Sequence, residues 1–109
     1  MMTVKQLYEN CGFTPICLPE PDREVAGAYM GDLLSWVMGR AQENNAWITI
    51  MSNINVAAVA SLADVACVIL TEDVSLEDDV LKVCNQKGVN VLSSSLSSFE
   101  TAIKIHGMV

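Results

Sequence analysis

The sequence is poor in basic residues and histidine, and it contains no glycine-rich phosphate-binding motif. Lys and Arg number 6 against 13 Asp and Glu, so the net charge is −7 and no basic cluster exists to displace counterions from phosphates. The 4 cysteines form no CxxC pair and 1 histidine accompanies them, which excludes a recognisable zinc site. Neither GxGxxG nor a Walker lysine occurs. We therefore predict no nucleic acid or membrane partner, no metal and no cofactor.

The cysteines and the apolar runs also indicate the compartment. Scattered cysteines are typical of reduced, mostly buried thiols in a cytoplasmic protein, with a disulfide as the alternative; they are Cys11, Cys17, Cys67 and Cys84. The first ten residues contain no basic leader followed by an apolar stretch, so we expect no signal peptide. Asp64 interrupts the most apolar run, residues 54–70, and a charge there opposes a membrane span.

The chain is unusually apolar for its size. A length of 109 residues predicts one domain, residues 1–109. Apolar residues make up 51% and charged residues 17%, although small domains have proportionally more surface to keep hydrated. We therefore expect another chain to cover part of the apolar surface, most simply a second copy in a homodimer, and we also predict an unidentified protein partner.

Apolar periodicity and capping signals predict an α/β fold. Capping-box patterns at Thr3 and Gln6, Ser75 and Asp78, and Ser97 and Glu100 predict the starts of helices. Short apolar runs at 46–50 and 66–70 predict buried strands. The predicted order is α, β, β, α, β, α, β, α, β, α. It implies three layers, a mostly parallel sheet of four to five strands with helices on both faces. We expect the first two strands, joined by a proline turn, at or near one edge.

The stretch from residue 27 to residue 50 predicts a βαβ unit. Gly31 and Asp32 form its turn, and Asp32 is expected to cap a helix of about ten residues. Helical spacing predicts an inward face containing Leu33, Leu34, Val37, Met38 and Ala41. Trp36 then lies on the opposite face, where a partner or a neighbouring loop would cover it, and we favour a partner. Arg40 is predicted to stack on the indole or to reach a partner's acid.

Two later helices have apolar faces in the sequence. In residues 56–63, the face contains Val56, Val59, Ala60 and Ala63, with Ala57 left for water. The final helix is predicted to bury Phe99, Ala102 and Ile103. Small residues in the first of these helices would let two surfaces approach closely. The predicted interface therefore comprises Ser35, Trp36, Gly39, Arg40, Ala58 and Leu62.

Polar residues follow the predicted strands, where ligands bind in parallel sheets. The candidates for a small polar ligand are Ser52, Asn53, Asn55, Ser93, Ser94 and Ser95. The same residues also serve as caps and turns, and we favour that interpretation. The acidic pairs, such as Glu72 with Asp73, are better explained as solvated turn and helix-start charges. No nucleophile can be assigned to His106, so we predict that the protein is not an enzyme.

Several segments resemble a stand-alone DRTGG domain. They comprise Asp22 and Arg23, followed by Gly27, Gly31 and Asp32, then AWITI, NINVAAVASLADVACVIL and KGVNVL. Glu24, Val25 and Ala26 depart from the naming motif. The resemblance implies a regulatory or interaction module, similar to domains in CBS-containing pyrophosphatases, in phosphotransacetylases and at the N-terminus of HPr kinases. It also implies a link to hydrogenase genes or energy metabolism. In it, Asp22 and Arg23 would tie the turn to the sheet through a charge-assisted hydrogen bond.

Three functions follow as hypotheses. The first is a non-catalytic regulatory or docking module that homodimerises through the face containing Trp36. The second is a sensor of a nucleotide or metabolite that uses the Ser and Asn residues named above. The third, an enzyme, has the least support because no catalytic set can be assembled.

Overall fold

A computed structural model describes all residues of the chain, 1–109. The predicted α/β order is confirmed, with small shifts at the boundaries. The elements are α1 (Val4–Cys11), β1 (Thr14–Cys17), β2 (Ala28–Met30), α2 (Leu34–Arg40), β3 (Ala46–Thr49), α3 (Asn55–Ala63), β4 (Cys67–Leu70), α4 (Asp78–Gln86), β5 (Val91–Ser93) and α5 (Ser98–Ile105). None of the helices combines the length and the apolar character needed to cross a bilayer.

The five strands form one mostly parallel sheet in the order β1-β5-β4-β3-β2. β1 pairs antiparallel with β5, and the other neighbours are parallel. The expectation that β1 and β2 share an edge is wrong, because they lie at opposite edges. The segment between them crosses the amino ends of the other strands. Along it, Glu20 bonds Asn90 before β5, and Ala26 N donates to Asn44 O before β3.

Two apolar layers cover the sheet, as the three-layer prediction requires. On one face, Trp47, Val68 and Val91 pack with side chains from α2, α3 and α4. On the other face, Ile48, Ile69 and Leu92 pack with α1 and α5. β3 and β4 are buried throughout, which is typical of central parallel strands covered on both sides.

The first turn of α2 differs from its prediction. The helix has 7 residues, its N-cap is Leu33, and no side chain caps it. The carboxylate of Asp32 instead accepts from Thr49 Oγ1 at 2.7 Å and from Ile50 N at 3.0 Å. Asp32 therefore ties the end of β2 to the end of β3. Of the predicted inward face only Val37 is fully buried, while Leu33 and Met38 are 60% and 47% exposed.

The buried faces of α3 and α5 also differ from those predicted by helical spacing. Ala57 of α3 is fully buried rather than open to water, because α3 packs between α2 and α4. α5 buries Thr101 and Ile105, whereas Phe99 and Ile103 are 70% and 59% exposed. Thr101 Oγ1 lies 2.8 Å from the Ser94 hydroxyl. This bond satisfies the threonine in the core, so burying a polar residue there is not costly.

Of the three capping boxes predicted from the sequence, two form and one does not. Thr3 with Gln6 and Ser97 with Glu100 form the predicted capping boxes. Ser75 caps nothing, because α4 begins at Asp78 after an N-cap at Glu77 that makes no side-chain cap bond.

Candidate functional site

Arg23 organises the amino-terminal side of the sheet. Its Nε and Nη2 donate to Asn44 Oδ1 at 3.1 and 3.0 Å, and Nη2 also donates to Asp64 O and Asp64 Oδ1 at 2.6 and 2.8 Å. Asn44 and Asp64 have left-handed backbones, with φ of 68° and 58°, and they precede β3 and β4. Arg23 therefore holds two turns beside each other and serves the fold, whereas Asp22 is exposed and makes no hydrogen bond.

Gly27 and Gly31, two of the residues that carry the family resemblance, have structural roles in the backbone. Gly27 has φ of 75°, and a Cβ there would lie 3.1 Å from Asn45 Nδ2. Gly31 accepts from the indole Nε1 of buried Trp47 at 2.9 Å. Gly27 is therefore needed for its backbone conformation, and the bond to Gly31 ties the end of β2 to β3.

The most prominent exposed feature of α2 is a stacked Trp–Arg pair. Trp36 is 53% exposed, so the alternative that a loop covers it is wrong. The guanidinium carbon of Arg40 lies 4.0 Å from the centroid of the indole ring, and this cation–π contact fixes both side chains. The predicted stacking of these two residues is confirmed. A large aromatic side chain held open to solvent is typical of an interaction hot spot.

Helix phase shows which way this pair faces. Leu34 and Ala41 pack partly against the core on one flank of α2, and Trp36 with Arg40 occupies the opposite flank. Crossovers between parallel strands are right-handed in nearly all proteins, and a right-handed β2–α2–β3 crossover places α3 beside the flank of Leu34. Trp36 therefore faces the edge of the sheet formed by β2.

The other predicted interface residues spread around α2 and α3. Ser35 and Gly39 are exposed on α2. Ala58 is half-buried and Leu62 is 72% exposed on α3. Since α3 lies on the far side of α2 from Trp36, the structure does not bring Ala58 and Leu62 together with the Trp–Arg pair, and their part in an interface stays a prediction.

The polar residues beyond the strands do not converge on one site. Ser52 and Asn53 line an open cleft between the starts of α3 and α4, together with Glu77 and Asp79. Asn53 Oδ1 accepts from Asn55 N within its own turn. No cavity joins this cleft to residues 93–95. The two acids make the cleft unfavourable for phosphate.

The three serines after β5 have mainly structural surroundings. Ser94 is buried, and its hydroxyl meets Thr101 and accepts from Leu96 N. Ser93 ends β5, and Ser95 is exposed. The loop after β4 bonds to this region, with Asp73 N donating to Ser94 O. These contacts agree with the interpretation that the serines complete turns and caps.

The cysteine, histidine and acidic side chains are not arranged as a nucleophile with a base or as a metal site. All four cysteines are free and buried, and burial raises the pKa of each thiol, to about 12 for Cys67 and about 11 for Cys84. A raised pKa keeps these thiols protonated and inert. His106 is the exposed C-cap of α5. No group of three or more His, Cys, Asp or Glu side chains is arranged to hold a metal.

Comparison with known proteins identifies the family. Residues 30–108 match the family model of the DRTGG domain, which is more than half of the chain. The chain belongs to the DRTGG domain family. Because the match begins at Met30, it excludes Asp22, Arg23 and Gly27, so the motif letters quoted from the sequence do not contribute to it. No curated protein matches the chain.

A solved structure shares the fold. It contains the CBS and DRTGG domains of the regulatory region of Clostridium perfringens pyrophosphatase, complexed with the activator diadenosine tetraphosphate. The TM-score is 0.72 at 11% identity, covering 95% of this chain and 46% of that one. This DRTGG protein therefore spans less than half of that regulatory region, and the likeness at this identity establishes the fold.

Proposed function

We propose that this DRTGG protein is a non-catalytic regulatory docking module that homodimerises through the outer flank of α2. The exposed indole of Trp36, held by Arg40 at 4.0 Å, carries the proposal. A rigid aromatic side chain can enter an interface at low cost in conformational entropy, and Trp and Arg are enriched among residues that dominate binding energy. Exposed Leu33 enlarges the same apolar flank.

The regulated process is proposed from the family. A DRTGG domain occurs in the regulatory region of a pyrophosphatase, and the sequence resemblance extends to proteins linked with hydrogenases. We therefore assign the module to cytoplasmic regulation of energy metabolism, with a further protein as its target. The acidic charge of −7 supports a protein target over nucleic acid or anionic lipid.

Sedimentation velocity tests self-association directly. The native protein is expected to sediment as a species of twice the chain mass of 11.8 kDa. Trp36→Ala should weaken the dimer, whereas Ile54→Ala, which removes a side chain that is 51% exposed on the other side of α2, should not. A native protein that stays monomeric across the concentration range, or a Trp36→Ala dimer of unchanged strength, would exclude this proposal.

A nucleotide sensor is the second candidate. The similar regulatory region binds diadenosine tetraphosphate, and the cleft containing Ser52 and Asn53 lies at the carboxyl ends of the strands, where ligands bind in such sheets. Glu77 and Asp79 in the same cleft oppose a polyphosphate, so docking remains the first candidate. Thermal-shift measurements with diadenosine tetraphosphate and with mononucleotides test it. A ligand at one hundred times its dissociation constant should add about 2.7 kcal/mol. The absence of any shift would leave docking alone.

A further inference from the structure

The two edges of the sheet differ in their protection. β1, at one edge, contains Pro15 and an irregular register between Pro15 and Cys17, both of which oppose pairing with another strand. β2, at the other edge, has the sequence Ala-Tyr-Met between two glycines. It has no proline, charge or bulge, and no second strand pairs with it.

The free hydrogen-bonding groups of β2 are arranged symmetrically. Gly27 O accepts from Ala46 N, and Gly31 N donates to Ile48 O, so positions 27, 29 and 31 face β3. The backbone N–H and C=O groups of successive residues in a strand point to opposite sides. Those of Ala28 and Met30 therefore point away from β3, toward the open edge. These two residues flank Tyr29, so a two-fold axis beside Tyr29 would pair Ala28 with Met30 of a second copy, and each such pair exchanges two hydrogen bonds.

An apolar cavity lies beside these free groups. Ala28, Met30 and Ile48 of the sheet, Ala102 of α5 and the C-cap residue His106 line a cavity of about 340 Å³. In the two-fold arrangement, Met30 of the second copy lies opposite Ala28 on the same face of the sheet. Its side chain would enter this cavity, and by symmetry Met30 of the first copy would enter the cavity of the second.

The surfaces above and below β2 continue this apolar edge. On one face of the sheet, Trp36 and Leu33 of α2 flank the edge, and on the other face the phase of α5 places Phe99 next to Ala102 on the β2 side. Met30, Leu33, Trp36 and Phe99 are all at least half exposed. Residues 26–31 carry no charge, which matters because two chains of −7 repel one another elsewhere.

We propose that the free edge of β2 pairs antiparallel with β2 of a second copy, joining two five-stranded sheets into one. The proposal rests on the self-association argued above and names its surface: Ala28 and Met30 provide the main-chain bonds, the Met30 side chain enters the cavity beside α5, and Trp36 covers the opposite face. A second copy fits this edge because the register is symmetric and the edge lacks acidic residues.

Hydrogen exchange on the native dimer tests the pairing without any substitution. The amide of Tyr29 faces β3 in either case, so it is protected in both monomer and dimer. The amides of Ala28 and Met30 are expected to be protected in the dimer and to exchange rapidly in dilute monomer. Rapid exchange of both amides in a sample that sediments as a dimer would overturn the edge pairing while leaving homodimerisation intact.

A matched pair of substitutions provides the second arm. Met30→Lys places a charge on the edge, as natural edge strands do, and should raise the dimer dissociation constant roughly tenfold or more. Met38→Lys alters a methionine of similar exposure, 47% against 51%, on the α3 side of α2, and should leave the constant unchanged. A Met30→Lys dimer as tight as the native dimer would refute the pairing, whereas a monomeric native protein would refute self-association itself.

Discussion

Arg23 Nη2 donates to Asp64 Oδ1 at 2.8 Å, and the same nitrogen reaches the carbonyl of Asp64 at 2.6 Å. Asp64 is the left-handed C-cap of α3. Asn44, the left-handed residue before β3, receives two further bonds from the same guanidinium and donates its own N–H to Asp64 O. One side chain thus joins the turns that lead into the two central strands.

We predict that Arg23→Lys destabilises the protein by about 1–3 kcal/mol. A single ammonium group cannot reproduce the planar fork that bonds Asn44 and Asp64 together. Chemical denaturation of both proteins measures the free energy of unfolding. Lys82→Arg serves as the control, because Lys82 is exposed, and it should change stability by less than about 0.5 kcal/mol. Equal effects of the two substitutions would show that Arg23 does not hold the turns.

The left-handed backbone of Asp64 allows a separate prediction. Asp64→Ala and Asp64→Gly both remove the side-chain acceptor of Arg23, but only alanine pays for φ of 58°. Asp64→Ala should therefore be less stable than Asp64→Gly by about 1 kcal/mol. Thermal or chemical denaturation of the two variants measures this difference. An alanine variant as stable as the glycine variant would mean that the turn relaxes to another conformation.

Local signals in the sequence were sufficient for the element order. The apolar runs of β3 and β4 are continuous because helices cover both faces of these strands. The relation between β1 and β2 was not visible in sequence, since a proline turn between two short strands equally suggests a hairpin. It depends on tertiary bonds, such as that from Glu20 N to Asn90 Oδ1 at 2.9 Å, which carry the segment across the sheet.

The phase of α5 shows a second limit of sequence patterns. An apolar wheel favours burial of Phe99 and Ile103, but the fold buries Thr101, which bonds Ser94 across the core. Phe99 and Ile103 consequently lie on the surface of the protein. Exposure of Trp36 could therefore be predicted, because the helix that contains it has another apolar face to bury. Exposure of Phe99 and Ile103 could not, because burial of a polar residue turns the opposite face of α5 toward the core.

Two serines with the same sequence pattern allow a direct test of capping. Ser97 Oγ accepts from Glu100 N at 3.1 Å, so Ser97→Ala should destabilise the protein by about 1 kcal/mol. Ser75 precedes Asp78 by the same spacing but caps no helix, and Ser75→Ala should be close to neutral. Denaturant titration of both variants measures the difference. A Ser75→Ala variant as destabilised as Ser97→Ala would mean that Ser75 caps α4 after all.

Asp32 is predicted to stabilise the junction of β2 and β3 as a hydrogen-bond acceptor. Asp32→Ala should destabilise the protein by about 1–3 kcal/mol, because it leaves the hydroxyl of buried Thr49 without its acceptor. Asp32→Asn keeps an oxygen at this position and should restore most of that loss. Free energies of unfolding measure both. An asparagine variant as unstable as the alanine variant would show that the negative charge, rather than the acceptor, is what matters.

Burial of Cys67 in β4 predicts a loss of stability at alkaline pH. Burial raises the pKa of this thiol from 9.0 to about 12, although the positive charge of Arg23 partly lowers it. The unfolded chain therefore releases the thiol proton as the pH rises above 9.0, while the folded chain keeps it up to about pH 12. Fewer bound protons in the unfolded state mean that the free energy of unfolding falls across this interval.

Cys67→Ala removes this proton linkage and should show a shallower fall in the free energy of unfolding between about pH 8 and about pH 11. Alanine also leaves a small cavity, which lowers stability at every pH and therefore does not change the slope. Titration of Cys84, with its pKa of about 11, is common to both proteins. The difference between the two slopes consequently isolates Cys67, and parallel curves would mean that its thiol reaches solvent before the chain unfolds.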